Sequence, residues 1–446
     1  MTPPLEGPRP PRRRRPRART RRRLVIVVRA DPVICGHSGE ARNLAEAALL
    51  RGFSEVKIVT WPVERLIAAG LPLKPLESVQ PYREGIEVER PEPVGDYRVP
   101  DGRYLSGLVG RLVELFTDGV PTVAMSLYLS PHTLAVSEAV RVARETGLRV
   151  NVLTIAEAVG SDVTNVVRTC VEKQQLGAAA QVLTAFLGSD VPVAVSEYTR
   201  DLVVSSAEAI DARHGTRFAD RCRERVAISY PAINTADYLD LDPTVTAEVL
   251  AARGLTPGSY VLYLSRLARA KGVDDLIAGF AASPGAAGKT LVIAGSGPQA
   301  AELHVVAAAS SAASRIRFLD DVGDDEKPAL MAGCATFVLP SKPRPEFVET
   351  FGIALVEKML AGGGPVITCD TGGIGEAVGE TALIVGVEDP QAIADALDEA
   401  LGLPDIEREM MELAARDHAR QFDRLTVFDR LLARLPSAEV ASLGAF

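Results

Sequence analysis

No apolar run in this chain approaches the roughly 18 residues that a membrane-spanning helix needs, which excludes an integral membrane protein. Cysteine is scarce: five residues, odd in number and without C-x-x-C spacing, exclude a disulfide framework and a structural zinc site. A reducing cytoplasm follows as the expected compartment. Aromatic residues make up 5% of the chain and include one tryptophan. Basic charge is missing from the body as well. Residues 1–23 hold ten arginines against one acid, and the remainder carries a net −18. A body so acidic excludes nucleic acid as the main ligand, because phosphate-backbone binding needs clustered positive charge.

What is there suits two or three domains: 446 residues, 47% of them hydrophobic and 24% charged. In residues 1–23 six prolines interleave with the arginines, so the segment is expected to be a disordered extension, with a weak contact to anionic surfaces as its one conceivable role. From Leu24 onward, short β-branched runs alternate with amphipathic stretches, the pattern of a parallel α/β architecture. Strands are expected near 24–28, 56–60, 121–126, 149–154, 191–196 and 225–230, with helices over 39–50 and 133–145 and an irregular part over 62–102. The pattern restarts at 260–264 and continues at 290–294, 315–319, 335–339, 365–368 and 382–385. The expected layout is a first Rossmann-like domain over 24–240, a hinge linker over 241–257 with Pro243, Gly254 and Pro257, a second domain over 258–415, and a tail over 416–446. In two doubly wound domains of this kind the ligand belongs in the cleft between them, at the carboxyl ends of strands.

The second half holds the readable chemistry. Its first strand runs into Ser265-Arg266-Leu267-Ala268-Arg269-Ala270-Lys271-Gly272, which brings two cations and a helix start together, as a diphosphate requires. The next strand leads into Gly295-Ser296-Gly297-Pro298, where glycines admit a close backbone approach and proline suits a helix start. Read as G-x-G-x-x-A with Asp320 downstream, this run imitates a dinucleotide fingerprint and opens a second reading, a nicotinamide oxidoreductase. Pro340-Ser341 precedes Glu346-Phe347-Val348-Glu349-Thr350-Phe351-Gly352, and Glu357 follows Glu349 by eight residues. Were the whole segment helical, those carboxylates would stand about 12 Å apart along the axis, beyond the 5–9.5 Å of a paired glycosidase acid and nucleophile. They suit two hydroxyl-bearing parts of one long ligand, with intervening phosphates at the helix start.

Taken together, Arg266 with Lys271-Gly272, Gly295-Ser296-Gly297-Pro298, Phe318 to Val322, Pro340-Ser341, the E-x7-E run and Gly372-Gly373 to Glu376 resemble, in order and spacing, the retaining GT-B glycosyltransferases of family 4. The resemblance covers about 258–400 closely and 24–235 diffusely. It implies two Rossmann-like domains facing each other across a cleft, a nucleotide-diphosphate sugar donor linked to UDP or GDP, a small-molecule acceptor and no metal. By the same resemblance Arg266 and Lys271 bind the diphosphate and Glu349 the hexose, as the catalytic set. Glu357 holds the ribose, and Ser341, Thr350, Phe351, Gly352, Gly295, Gly297 and Pro298 border the donor. Arg200, in Ser196-Glu197-Tyr198-Thr199-Arg200, approaches it from the opposite wall, and the tail crosses back onto the first domain.

The chain departs from the family in two places. Ser265 stands where a glycine is usual. Thr154-Ile155-Ala156-Glu157 lacks the histidine of a T-x-H motif, leaving Glu157 beside the vacated position as a contact for acceptor or donor. Acceptor recognition falls to Gly36, His37, Ser38 and Gly39, with Ser38 expected to cap a helix, and to His132. The first domain is similar to those of actinobacterial glycosyltransferases of specialised metabolism, including thiol-glycosylating enzymes of lincosamide pathways. A nucleotide-sugar binding protein without catalysis is a third reading.

Overall fold

The computed structural model describes residues 21–95 and 102–437. Residues 1–20, most of the expected disordered extension, lie outside them. Strands β1 (Arg23–Val27), β2 (Glu55–Val59), β3 (Ile86–Glu89), β4 (Thr122–Leu127), β5 (Val152–Ala158), β6 (Val191–Ala194) and β7 (Ala227–Ile228) form one parallel sheet in the order β3-β2-β1-β4-β5-β6-β7. Leu24 to Val28 are at most 1% exposed. A strand covered on both faces in this way reads as an unbroken apolar run, and Leu24 registers with Val56 on one side and Val123 on the other.

A second parallel sheet holds β8 (Tyr260–Leu264), β9 (Thr290–Ala294), β10 (Ile316–Leu319), β11 (Thr336–Leu339), β12 (Val366–Thr368) and β13 (Leu383–Ile384), in the order β10-β9-β8-β11-β12-β13. Strand order reverses at β1/β4 in one sheet and at β8/β11 in the other. A ligand crevice opens outside the carboxyl ends of strands at such a reversal.

Four sequence expectations need correction. β3 lies inside the stretch expected to be irregular. Its Ile-Glu-Val-Glu alternation marks an edge strand, whose Glu89 pairs with Lys57 of β2 at 2.7 Å, so charge hid the strand from a search for apolar runs. β5 begins three residues late and runs on to Ala158, which places Glu157 within a strand. The expected hinge linker contains the helix Pro243–Ala252, started by Pro243 and capped by Asp242 accepting from the Thr244 amide at 2.7 Å. Leu250 of this helix is 1% exposed within the second core. The basic segment ends earlier than Arg23, which is 3% exposed in β1 and pairs with Glu55 and Asp118 at 2.7 Å each. Arg21 joins Glu55 at 2.6 Å, and Arg22 lies 4.7 Å over the Phe53 ring.

The chain passes between the two halves at two points that hydrogen-bond each other: the Ile233 amide donates to the Phe422 carbonyl at 3.0 Å, and the Arg424 amide to the Ile233 carbonyl at 2.8 Å. Beyond this crossing the helix Arg424–Ala433 buries Val427, Phe428 and Leu431 in the first core, with Phe428 edge-on to Phe53 at 5.7 Å.

Candidate functional site

The β8/β11 crevice gathers the charged residues singled out in the second half. Lys271 ends a short turn over Arg269–Lys271, and Gly272 bends the chain into the helix Val273–Ala282. Its ammonium is buried and ion-paired with the Glu349 carboxylate; the two side chains are 8% and 11% exposed. Phe347 packs beneath both cations, its ring centre 5.2 Å from Lys271 Nζ and 5.5 Å from the Arg266 guanidinium carbon. Arg266 is exposed. One cation is therefore already neutralised and the other is open to an anion.

Glu349 and Glu357 do not share a helix. Gly352, at φ 100°, turns the chain into the helix Ile353–Ala361, so Glu349 and Thr350 sit in the loop before it and only Glu357 is helical. Phe351 turns its ring away from the crevice, stacked on Tyr230 at 5.4 Å and edge-on to Phe422 at 5.0 Å, which leaves its backbone to border a ligand. Glu357 is half-buried, and burial raises its pKa against the pull of Lys327 and of a hydrogen bond from Tyr238. Asp324 holds Lys327 at 2.6 Å and also takes Lys74, from the first domain, at 2.6 Å. Ser341 is buried, and its hydroxyl has no partner.

Gly295 and Gly297 serve a different purpose from the one their motif suggests. A Cβ on Gly295 would stand 2.1 Å from the Ser265 carbonyl, and one on Gly297 2.3 Å from the Leu267 carbonyl. The glycines let the loops after β8 and β9 clasp each other, and the Leu267 amide completes the clasp by donating to the Ser296 carbonyl at 2.9 Å. Pro298 lies in the turn before the helix Ala300–Ala309, not within its first turn. This glycine run follows β9, one strand away from the β8/β11 reversal where a dinucleotide fingerprint belongs.

Across the cleft, Gly36, His37, Ser38 and Gly39 form the first turn of the helix Gly36–Leu50. The helix starts earlier than expected. Ser38 is inside it, does not cap it, and keeps a buried hydroxyl without a partner. A Cβ on Gly36 would lie 3.1 Å from Ile353 Cδ1, so this turn faces the helix start beside Glu349. Arg200 engages Asp201 at 3.6 Å and Glu197 at 4.0 Å. Glu376 accepts from the amides of Glu197 and Tyr198 at 2.8 and 3.2 Å, capping a first-domain helix from the second domain.

The two histidines differ from simple acceptor contacts. His132 is fully buried; burial, with help from Arg29, lowers its pKa to about 3, so it stays neutral and accepts from Trp61 Nε1 at 3.4 Å. His37 is lowered to about 4 for the same two reasons. Tyr128 lies between them, its ring 6.1 Å from His37 and 5.9 Å from His132, in a backbone conformation with φ 119° that a non-glycine residue rarely adopts.

Glu157 is 1% exposed and faces Glu40, a residue whose importance only its burial reveals. Burial raises both carboxyls, Glu40 to about 7 and Glu157 well above its ordinary range, so the pair retains a proton at neutral pH. Asp162 accepts from the amides of Leu129 and Val163 at 2.8 Å each and of Val159 at 3.1 Å, tying together the loops after β4 and β5. Among the described residues no three His, Cys, Asp or Glu side chains gather as a metal would require, and no helix is long and apolar enough to cross a membrane.

The sequence profile of the glycosyl transferases group 1 family matches residues 254–418. A GDP-mannose-dependent alpha-(1-6)-phosphatidylinositol monomannoside mannosyltransferase of Mycobacterium tuberculosis is 31% identical over 220 residues, 48% of this chain and 53% of that protein. A D-inositol 3-phosphate glycosyltransferase of Salinispora tropica is 31% identical over 215 residues, 44% of this chain and 43% of that one. The chain thus spans about half the length of the curated relatives it matches. In fold it is similar to HepE of Anabaena in complex with UDP and glucose, at a TM-score of 0.65 and 19% identity, covering 93% of this chain and all of that one. Residues 254–418 thus resemble the group 1 glycosyl transferases, and the two parallel doubly wound sheets have the GT-B architecture.

Proposed function

We propose that this protein transfers a hexosyl group from a nucleoside diphosphate sugar to a small-molecule acceptor with retention of anomeric configuration. The observation that carries the reading is the cluster of Arg266, Lys271 and Glu349 at the carboxyl end of β8, beside the helix start at Gly352 and opposite the Gly36–Gly39 turn. Charge develops on the departing diphosphate. Arg266 is open to receive it, and Lys271 is released to it when Glu349 turns to the hexose hydroxyls. Glu357 takes the ribose hydroxyls. Retention follows from attack on the face the diphosphate leaves, with a phosphate oxygen accepting the acceptor's proton. No metal or other cofactor enters this scheme. A nicotinamide oxidoreductase has less support, because Gly295 and Gly297 are used up in packing against Ser265 and Leu267.

The relatives' names cover GDP-mannose, and the HepE structure holds UDP and glucose, so the test uses both bases. Thermal shift with UDP, GDP, ADP and NAD identifies the nucleotide: a ligand at about 100 times its Kd stabilises by ~2.7 kcal/mol. The matching sugar donors are then incubated with acceptor panels of alcohols and thiols, and proton NMR reads the anomeric configuration. Stabilisation by NAD alone, or an inverted product, overturns the proposal. Nucleotide binding without turnover on any panel favours a silent binder.

A further inference from the structure

The acceptor side contains a cavity that no motif in the sequence announces. It measures about 380 Å³, within the range of small-molecule sites, and its walls include Arg29, Trp61, Arg65, Leu66, Tyr104 and Pro131. Arg29 follows β1, Trp61 follows β2 and Pro131 follows β4, so the cavity opens at the carboxyl ends of three adjacent strands, at the first sheet's order reversal. The short helix Val63–Ala68 forms one wall, and Tyr104, in the first turn of the helix Gly102–Thr117, forms another.

The lining is selective. Trp61 and Tyr104 supply flat apolar surface, and Leu66 and Pro131 add aliphatic surface. Trp61 is fixed by two partners: its indole N–H points at neutral His132, and its carbonyl accepts from Arg90 at 2.5 Å. Arg29 is the group that needs a ligand to explain it. It is half-buried and makes no ion pair among the described residues. Its guanidinium carbon lies 4.4 Å over the Tyr128 ring. Asp31, the nearest acid in sequence, is already held by Arg42 at 2.8 Å and approached by Lys74 at 3.5 Å. From Arg29 the contacts run through Tyr128 to His37, next to Gly36, which meets Ile353 of the second domain.

We infer that this cavity holds the acceptor, and that the acceptor has a flat apolar body and one anionic group, the anion seated on Arg29 and the ring between Trp61 and Tyr104. The inference rests on the transferase reading for the word acceptor; the chemistry of the cavity stands without it. His132 is then a positioning residue that orients Trp61, and His37 stands between the cavity and the cleft.

Trp61 is the chain's one tryptophan, so its fluorescence reports occupancy of this cavity alone. The probes are para-nitrobenzoate, a flat ring with one carboxylate, and its neutral relative para-nitrobenzamide. Para-nitrobenzoate should quench Trp61 saturably, and para-nitrobenzamide should bind about tenfold more weakly, as expected for loss of a charge-assisted hydrogen bond. Arg29→Gln should erase that preference and Arg29→Lys should keep most of it, while Ala69→Phe, which fills the cavity, should weaken both probes. Adding a nucleoside diphosphate should leave para-nitrobenzoate binding intact, since donor and acceptor must be held together.

Linear quenching without saturation, equal affinity for the two probes, or a preference that survives Arg29→Gln would overturn the cavity's chemistry. Mutual exclusion of para-nitrobenzoate and the nucleotide would overturn its role as the acceptor site. Calorimetry of nucleoside diphosphate binding in the same samples separates this from the donor reading: absent nucleotide binding with intact probe selectivity sinks the transferase, and the reverse sinks only the cavity.

Discussion

Lys271 and Glu349 are ion-paired in the β8/β11 crevice, although they lie 78 positions apart in sequence, and both belong to the proposed donor site. The pair is nearly dry, so removing one partner leaves the other charged in a poor solvent. Lys271→Ala should therefore cost about 3–5 kcal/mol of stability as well as roughly 10²–10³ in turnover. Lys271→Met combined with Glu349→Gln should recover most of the stability and none of the activity. Exposed Arg266 has no such structural debt, so Arg266→Ala should lower turnover by a similar factor at unchanged Tm. Denaturant titrations beside initial rates check all three, and a double variant as unstable as Lys271→Ala would refute the coupling.

Glu349 lies in the loop before the helix start and Glu357 on the helix itself, against Tyr238 and Lys327. If Glu357 meets the ribose, Glu357→Gln should weaken free nucleoside diphosphate binding by about tenfold, the worth of a charge-assisted hydrogen bond. Glu349→Gln should spare that binding and harm the sugar-dependent step. Equal losses of nucleotide affinity in calorimetry would contradict the division of labour.

His132 makes the fold acid-sensitive. The unfolded chain takes up a proton near pH 6.5, whereas the folded site refuses it until about pH 3. Its contribution is complete above pH 6.5 and falls with pH, by ~2 kcal/mol between pH 6.5 and 5. His132→Gln should shrink the stability loss over that interval by this amount. An unchanged pH slope would show that His132 is not held neutral.

The Glu40–Glu157 pair acts with the opposite sign. Its raised folded pKa means that the folded protein keeps a proton which the unfolded chain sheds above about pH 4.5, so stability declines as pH rises past that point. Glu157→Gln should therefore gain Tm relative to the parent at pH 8 more than at pH 5. A pH-independent difference would argue that the carboxyls do not share a proton.

Arg21 and Arg22 belong to the fold through Glu55 and Phe53. Removing residues 1–22 should cost about 1 kcal/mol relative to removing residues 1–20, the scale of an exposed ion pair with one cation–π contact. Identical melting curves for the two truncations would assign those arginines to the extension after all. Binding to anionic vesicles that fades between about 50 and 200 mM salt and needs residues 1–20 would give the basic segment a role of its own.

The sequence by itself determined the two-sheet architecture, because strands buried on both faces must be continuous apolar runs and helices between them must be amphipathic. It also singled out Arg266, Lys271, Glu349 and Glu357 through a resemblance in motif order, while the meeting of Lys271 with Glu349 across 78 positions belongs to the tertiary structure. Only the tertiary structure decided that Gly295 and Gly297 serve loop packing, that Glu157 faces Glu40, that Glu376 caps a helix of the other domain, and that Arg29, Trp61 and Tyr104 enclose one cavity. Each of these depends on residues 30 to 179 positions apart meeting at strand ends, a proximity set by sheet order and domain closure. The charge on Glu87 and Glu89 likewise hid β3, since an edge strand needs no apolar run to be paired.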